Sequence, residues 1–395
     1  MPLGLIALAL GGFGIGLTEF VIAGLLSSVA DDMGVSVPTA GYLISGYALA
    51  VVVGALALTP VVNRWEPKRA LQVLMVLFTA GNALSAIAPG YAALLGGRIL
   101  AALAHGAFFG IGAVLAASLV AAEKKAGAIS IMFGGLTIAN VLGVPMGTVI
   151  GQQWGWRATF AVIAVVGVIA LAGITALVPA QPADTAARPS LRSELAVFRN
   201  TQVWYSLSLT VLIFGGMFGV FMYIEPLLTR VTGFSEGAIP WLLVLFGLGL
   251  FAGNLVGGRW ADRTLSRTLF GMTFALAVVL AAFGVLDEYK IAAIVLLPAM
   301  GFFGFGATPG LQMRIMDHAA AAPTMASSAN IAAFNVGNFL GVWLSGLAIA
   351  ARLGWGSPLW VGAAFAVAGI AVLALATRGE RTPTADTPAR ELATA

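Results

Sequence analysis

The sequence predicts an all-α integral membrane protein: twelve transmembrane helices in two six-helix bundles related by a pseudo-two-fold axis. Three observations predict it. Of the 395 residues, 60% are hydrophobic and 9% charged, too little polar surface to cover a water-soluble particle of this size. Apolar runs of about 20 residues, enough to cross a hydrocarbon core about 30 Å thick, recur from one end of the chain to the other. Short motifs of the first half also return in the second at a nearly constant offset.

The runs lie at 4–28, 39–62, 69–89, 92–119, 126–150 and 157–179, then at 201–228, 237–258, 266–286, 291–313, 323–350 and 355–377. Each is continuously apolar rather than alternating with period two, which fits helices and not a transmembrane β-barrel. The first run reads as a span, not as a cleaved signal, because it is one of many like it. Basic residues mark alternate breaks: Arg64, Lys68 and Arg69 after the second run, Lys124 and Lys125 after the fourth, Arg259, Arg263 and Arg267 after the eighth. With both termini on one side, that side holds 15 of the 20 lysines and arginines and the other side 4, Arg157, Arg230, Lys290 and Arg352, with Arg98 inside a span. This asymmetry predicts cytoplasmic termini. The net charge of +4 is thereby a topological signal and calls for no nucleic-acid partner.

The longest polar break, "AQPADTAARPSLRSELAVFRN" at 180–200, divides the runs six and six. It reads as a cytoplasmic linker carrying one short surface helix, between a bundle at 1–179 and a bundle at 201–377, with residues 378–395 as a disordered tail. The halves repeat each other. "GVS" at 34–36 matches "GFS" at 233–235, "NR" at 63–64 matches "DR" at 262–263, "NVLGV" at 140–144 matches "NFLGV" at 338–342, and "GW" at 155–156 matches "GW" at 354–355. The offsets are 199, 199, 198 and 199; "FFGIG" at 108–112 matches "FFGFG" at 302–306 at 194. Two repeats of the same hand imply an axis along the membrane normal, with the substrate at the shared interface.

These motifs resemble the major facilitator superfamily, and within it the twelve-span drug:proton antiporters. "GNLVGGRWADR" at 253–263 is similar to the family's gating loop G-x-x-x-D-R, with Gly258, Asp262 and Arg263 in place, while the first-half copy has Asn63 for the acid and Thr59 for the glycine. Gly143, Pro145, Gly147 and Gly151 in "ANVLGVPMGTVIG" resemble the antiporter signature G-P-x-x-G-G, interrupted by Val144. Small residues let helix backbones approach closely in lipid, and a proline bend is tolerated there. The resemblance implies that this surface holds one half against the other and accompanies export. "LTEFVIAGLL" at 17–26, "RILAALAHGAFFG" at 98–110, "GWRATF" at 155–160 and "FMYIEPLLT" at 221–229 narrow the likeness to the branch of chloramphenicol-resistance exporters and sugar or arabinose efflux proteins. A monomer in a bacterial inner membrane is the working form that the resemblance implies.

Three full charges fall inside spans: Glu19, Arg98 and Glu225. Each costs about 3 kcal/mol or more there unless paired or wetted, which makes it a functional candidate. At about 1.5 Å per residue, Glu19 and Arg98 both stand roughly 20 Å above the inner surface, so an ion pair or water-bridged pair is possible. They are the proton-coupling candidates. Glu225 lies near the outer end of the seventh run. His105 shares a helix face with Arg98, either as a packed group or as a relay. Asn330, Phe334 and Asn338 share a face by i, i+4, i+8 spacing, and Asn140 and Asn338 correspond in the repeat, which suggests interhelical hydrogen bonds first and ligand contacts second. Phe13, Tyr47, Phe109, Phe218, Phe221 and Met222 are candidates for an apolar cavity wall.

Absences narrow the function further. The chain has no cysteine, hence no disulfide or thiolate metal site. It has two histidines, His105 and His318, far apart in sequence, so no metal site is expected. No G-x-x-x-x-G-K-[ST] loop offers an ATP site, and no cofactor is expected. The expectation is a proton-coupled exporter of a small, mostly apolar, chloramphenicol-like compound. A sugar, arabinose or purine nucleoside exporter of the same fold is the alternative. A membrane enzyme or non-transporting receptor is remoter, since it needs a catalytic cluster or a sizeable soluble domain.

Overall fold

The computed structural model of the chain describes residues 2–22, 25–35, 37–180 and 191–381. Among these, every regular element is helical. The first half holds α1 (Leu3–Val21), α2 (Tyr42–Val62), α3 (Pro67–Ala86), α4 (Tyr91–Ser118), α5 (Ala122–Trp154) and α6 (Trp156–Leu177). The second opens with α7 (Thr201–Phe221). A 47-residue helix, Ile239–Val285, follows, broken by the non-helical backbone of Thr264 (φ −151°, ψ 83°) into α8 (239–263) and α9 (265–285). Then come α10 (Lys290–His318), α11 (Pro323–Ala350) and α12 (Ser357–Arg381). The described residues thus give the twelve expected spans.

Several boundaries differ from the hydropathy reading. The first span ends at Val21, short of 28, and a separate helix, Leu26–Met33, follows it. Gly34 stops that helix in the left-handed region at φ 63°, where a side chain is strained, and its N–H returns to the last turn. The seventh span ends at Phe221, short of 228, and is followed by the short helix Ile224–Arg230. Apolar composition continued through both bends, so hydropathy did not register them. The last helix runs to Arg381 rather than stopping at 377; the remainder of the expected tail, 382–395, lies outside the described residues. Of the expected linker, 181–190 lies outside them too, and the described part forms the helix Leu191–Ala196 and a 3₁₀ turn, Val197–Arg199.

Helix packing carries the repeat. Within the first half α1 packs on α5 and α6, α3 on α4 and α6, and α2 on α4. In the second half α7 packs on α11 and α12, α9 on α10 and α12, and α8 on α10. Adding six to each number converts one set into the other. The contacts between halves obey the same rule: α5 with α8 and α2 with α11, α4 with α11 and α10 with α5. Two helices of the interface, α2 and α5, each contain a π turn, at Gly54–Leu58 and Ala139–Gly143. The second sits just before Pro145, where the chain lacks a backbone N–H and the regular i→i−4 ladder is interrupted.

Candidate functional site

A cavity lies between the halves, formed by α1, α4 and α5 on one side and α7, α10 and α11 on the other. Phenylalanines make most of its wall: Phe20, Phe109 and Phe133 from the first half, Phe214, Phe218, Phe305 and Phe334 from the second, with Leu136 and Ile331. They interlock, Phe109 stacking on Phe133 at 4.9 Å and Phe214 meeting Phe334 at 4.2 Å. The polar groups on the wall are Glu19, His105, Asn335 and Asn338. Glu19 is its one carboxylate, and it retains partial exposure. Asn338 Oδ1 has no hydrogen-bond partner among the described residues. The free volume is about 30 Å³, room for a water or two but not for a drug-sized molecule.

Behind Glu19 stands a buried polar cluster. Arg98, 1% exposed, donates from Nη1 to the carbonyl of Thr18 and, at 3.4 Å, to Thr18 Oγ1. Thr18 Oγ1 donates to Asn82 Oδ1 at 2.6 Å, so α1, α3 and α4 are tied at one level. The guanidinium lies 4.4 Å above the ring of Tyr47, a cation–π contact strengthened by desolvation. Tyr47 Oη is 3.3 Å from His105 Nδ1, which carries the cluster to the cavity wall. Arg98 and Glu19 do not form an ion pair, in contrast to Arg157 and Asp32. Arg98 Nε and Nη2 have no hydrogen-bond partner there.

Contacts between the halves flank the cavity on both sides. Toward the face without the termini, Phe20 of α1 stacks on Phe218 of α7 at 6.1 Å, with 13° between the ring planes. Toward the basic face, Ser130 of α5 and Asn254 of α8 bond to each other's backbone carbonyls at 2.7 Å. Nearby, Asp262 accepts the N–H groups of Ala126 and Gly127, at 2.7 and 2.9 Å, near the N-terminal end of α5. A carboxylate is favoured there by free N–H groups and the helix dipole. On the other side of the axis Thr59 Oγ1 of α2 donates to Ser328 Oγ of α11 at 2.9 Å. Thr59 is the repeat partner of Gly258, and Ser328 of Ser130. Gly258 lies so close to Ser130 that an added Cβ would come within 2.5 Å of the serine Cβ.

A family model for the Major Facilitator Superfamily matches residues 8–329 and 207–395. The chain belongs to the Major Facilitator Superfamily. It is 44% identical over 369 residues to the "Inner membrane transport protein YdhP" of Escherichia coli (strain K12), covering 93% of this chain and 94% of that protein. It is 34% identical over 362 residues to the "Chloramphenicol resistance protein" of Streptomyces lividans, covering 91% and 92%. In fold it matches the E. coli fucose:proton symporter FucP, with a TM-score of 0.76 at 12% identity over 94% of this chain and 98% of that one. The molecule is therefore a multi-pass membrane transporter of this superfamily.

The superfamily motifs do not all act where the resemblance implied. Gly143 and Gly147 face α1 of their own half, and Gly151 faces Leu25 beyond its end: an added Cβ at each would come within 2.9, 2.5 and 2.3 Å of Leu17, Val21 and Leu25. Glycines and apolar residues mesh at the same i, i+4, i+8 spacing, and Thr159 of α6 donates to the Gly147 carbonyl at 2.8 Å. Pro145 is exposed. These glycines therefore build the first bundle, and where the same stretch meets the opposite half it does so through Val141, which packs on Gly247 of α8. In the degenerate loop, Asn63 donates to Glu194 Oε1 of the linker helix at 2.9 Å, whereas its repeat partner Asp262 meets a helix end. Arg263 lies on the outer surface of the second half.

Of the expected wall residues, Phe109, Phe218, Phe334, Asn338 and His105 line the cavity, as does the proton-coupling candidate Glu19. Others turn elsewhere. Phe13 packs beneath Gly143, Tyr47 covers Arg98, and Phe221 stacks on Phe246 at 4.6 Å. Met222 is exposed. Asn330 is fully buried in a network with Thr210 Oγ1 and Gln312 Oε1, at 2.6 and 2.7 Å. Asn140 bonds to its own helix at the Leu136 carbonyl, so Asn140 and Asn338 do not pair. The side chain of Glu225 lies outside the described residues. Sequence reasoning missed Phe20, Phe133, Leu136, Phe214, Phe305, Ile331 and Asn335. The stripe on α11 is 331, 334, 335, 338, one residue round from the 330, 334, 338 face; Phe214 and Phe218, four apart, were a legible pair.

Proposed function

We propose that this transporter exports a small, mostly apolar compound of the chloramphenicol type in exchange for protons, from a cytoplasm that faces the basic side. The observation that carries the proposal is Glu19: the one carboxylate on a wall of phenylalanines, at the junction of the two halves. An ionised Glu19 needs water or a cationic partner in an apolar cavity; protonated, it needs neither. Arg98, with two buried guanidinium nitrogens unpartnered, supplies the complementary charge from one helix away. Proton and cargo then favour different states of one site, and coupling requires that difference. In this scheme protonation from outside releases cargo outward, the halves rock, and deprotonation inside restores affinity.

The phenylalanine wall favours an apolar aromatic cargo, and the relative named for chloramphenicol resistance supports the same class. Asn335 and the unpartnered Asn338 Oδ1 are the features that favour a sugar or nucleoside exporter instead, since such cargo needs hydrogen-bonding groups at one depth. The test is transport into sealed inverted vesicles under an imposed pH gradient. Glu19→Gln is expected to keep its thermal unfolding midpoint and to lose pH-driven accumulation of phenicol. Retained pH-driven accumulation refutes the coupling role. Thermal-shift screening against phenicols, sugars, nucleosides and lipophilic cations at two pH values assigns the class, through stabilisation by one of them only.

A further inference from the structure

A second cavity, away from the interface between the halves, opens on the outer surface where α8 turns into α9, with a volume of about 420 Å³. Its rim is Trp260, Arg263 and Arg267; its inner wall is Gly271, Met272 and Phe303 of α10. The rim lies at the basic face and the wall runs toward the membrane interior, Gly271 being one turn deeper than Arg267, about 6 Å along the helix. Both arginines are exposed, and neither forms a hydrogen bond or an ion pair among the described residues. Trp260 is half-exposed beside them, in keeping with an aromatic residue at headgroup level.

The repeat provides an internal comparison. Arg263 and Arg267 correspond to Arg64 and Lys68 of the first half, so the basic pair is duplicated. Gly271 corresponds to Gln72, whose amide reaches across to Thr175 Oγ1 at 2.9 Å. At Gly271 an added Cβ would meet nothing within 4 Å. The glycine leaves the groove between α9 and α10 free of a side chain at this level, whereas Gln72 turns to α6 of its own half.

We infer that this groove binds an anionic glycerophospholipid, its phosphate between Arg263 and Arg267 and one acyl chain running past Gly271 to Phe303. Two unpaired guanidinium groups suit a phosphate oxyanion, and basic pockets between helices on the cytoplasmic side favour anionic headgroups. The apolar, membrane-facing wall selects a lipid over free phosphate.

Native mass spectrometry of the full-length chain in detergent tests this, with dioleoylphosphatidylglycerol, dioleoylphosphatidylcholine or inorganic phosphate as probe. The wild type is expected to retain phosphatidylglycerol over phosphatidylcholine. Arg267→Gln should lower that retention about fivefold, the effect of one surface cation. Gly271→Leu, which fills the groove without changing charge, should lower it as much, and Arg64→Gln should leave it unchanged. Both groove positions are exposed, so thermal midpoints should match the wild type. Equal phosphatidylglycerol retention in all four chains overturns the inference. Displacement of the lipid by millimolar inorganic phosphate also overturns it, in favour of a free-phosphate site.

Discussion

Ser130 of α5 and Asn254 of α8 clasp each other across the two halves, each side chain donating to the other's backbone carbonyl at 2.7 Å. Both residues are buried, and the halves cannot part on the basic side without breaking both bonds. At about 1 kcal/mol each, the pair biases the closed state roughly thirtyfold. The double variant Ser130→Ala, Asn254→Ala should shift the population toward a state open on the basic face. The chain has no cysteine, so spin labels on cysteines introduced at Arg69 and Arg259 report one distance without background. An unchanged distance distribution would show that the clasp does not control closure.

The mesh of α5 on α1 predicts a steric outcome at Gly147. A Cβ there would come within 2.5 Å of Val21 Cγ2, and overpacking of this kind costs about 1–3 kcal/mol. Gly147→Val should lower the thermal midpoint, and adding Val21→Ala should recover part of the loss. Gly96→Ala, where an added Cβ meets nothing within 4 Å, should be silent. If Val21→Ala brings no recovery, the contact is not the cause.

Outside the spans, the helix Leu26–Met33 is fastened by Asp32. Its Oδ2 accepts from Arg157 Nη1 at 2.5 Å and from Trp156 Nε1 at 3.1 Å. The hydrogen bonds from Arg157 and then Trp156 hold the Asp32 carboxyl below its usual 3.8. A carboxyl depressed on folding stabilises the fold above its unfolded value, and that contribution fades as pH falls through the folded one. The midpoint difference between wild type and Asp32→Asn should be positive near pH 6 and shrink as the pH drops below the ordinary carboxylate range. Parallel curves would remove Asp32 from the stability of this corner.

Twelve spans, their division six and six, and the repeat were legible because a bilayer imposes a length and a polarity on every helix, whatever its neighbours. Glu19 and Arg98 were legible for the same reason: a charge within an apolar run stands out. Their relation was not. Equal depth suggested a pair, but which rotation of α4 aims Arg98 at Tyr47 and Thr18 is decided by packing against α2 and α1.

The same division holds for the motifs. Gly143, Gly147 and Gly151 declared a close helix contact through their spacing, because only small residues admit another backbone. The partner was α1 with Leu25 beyond its end, and only the arrangement of six helices selects it over α8. Asn330 and Asn338 share a stripe in sequence but face a buried network and the cavity, respectively, because one residue of helix rotation changes the neighbour. Sequence determined which segments cross the membrane and which carry chemistry, since both follow from the solvent that each residue meets. The tertiary structure decided who faces whom, because contacts between helices far apart in the chain depend on rotations and translations that no local pattern encodes.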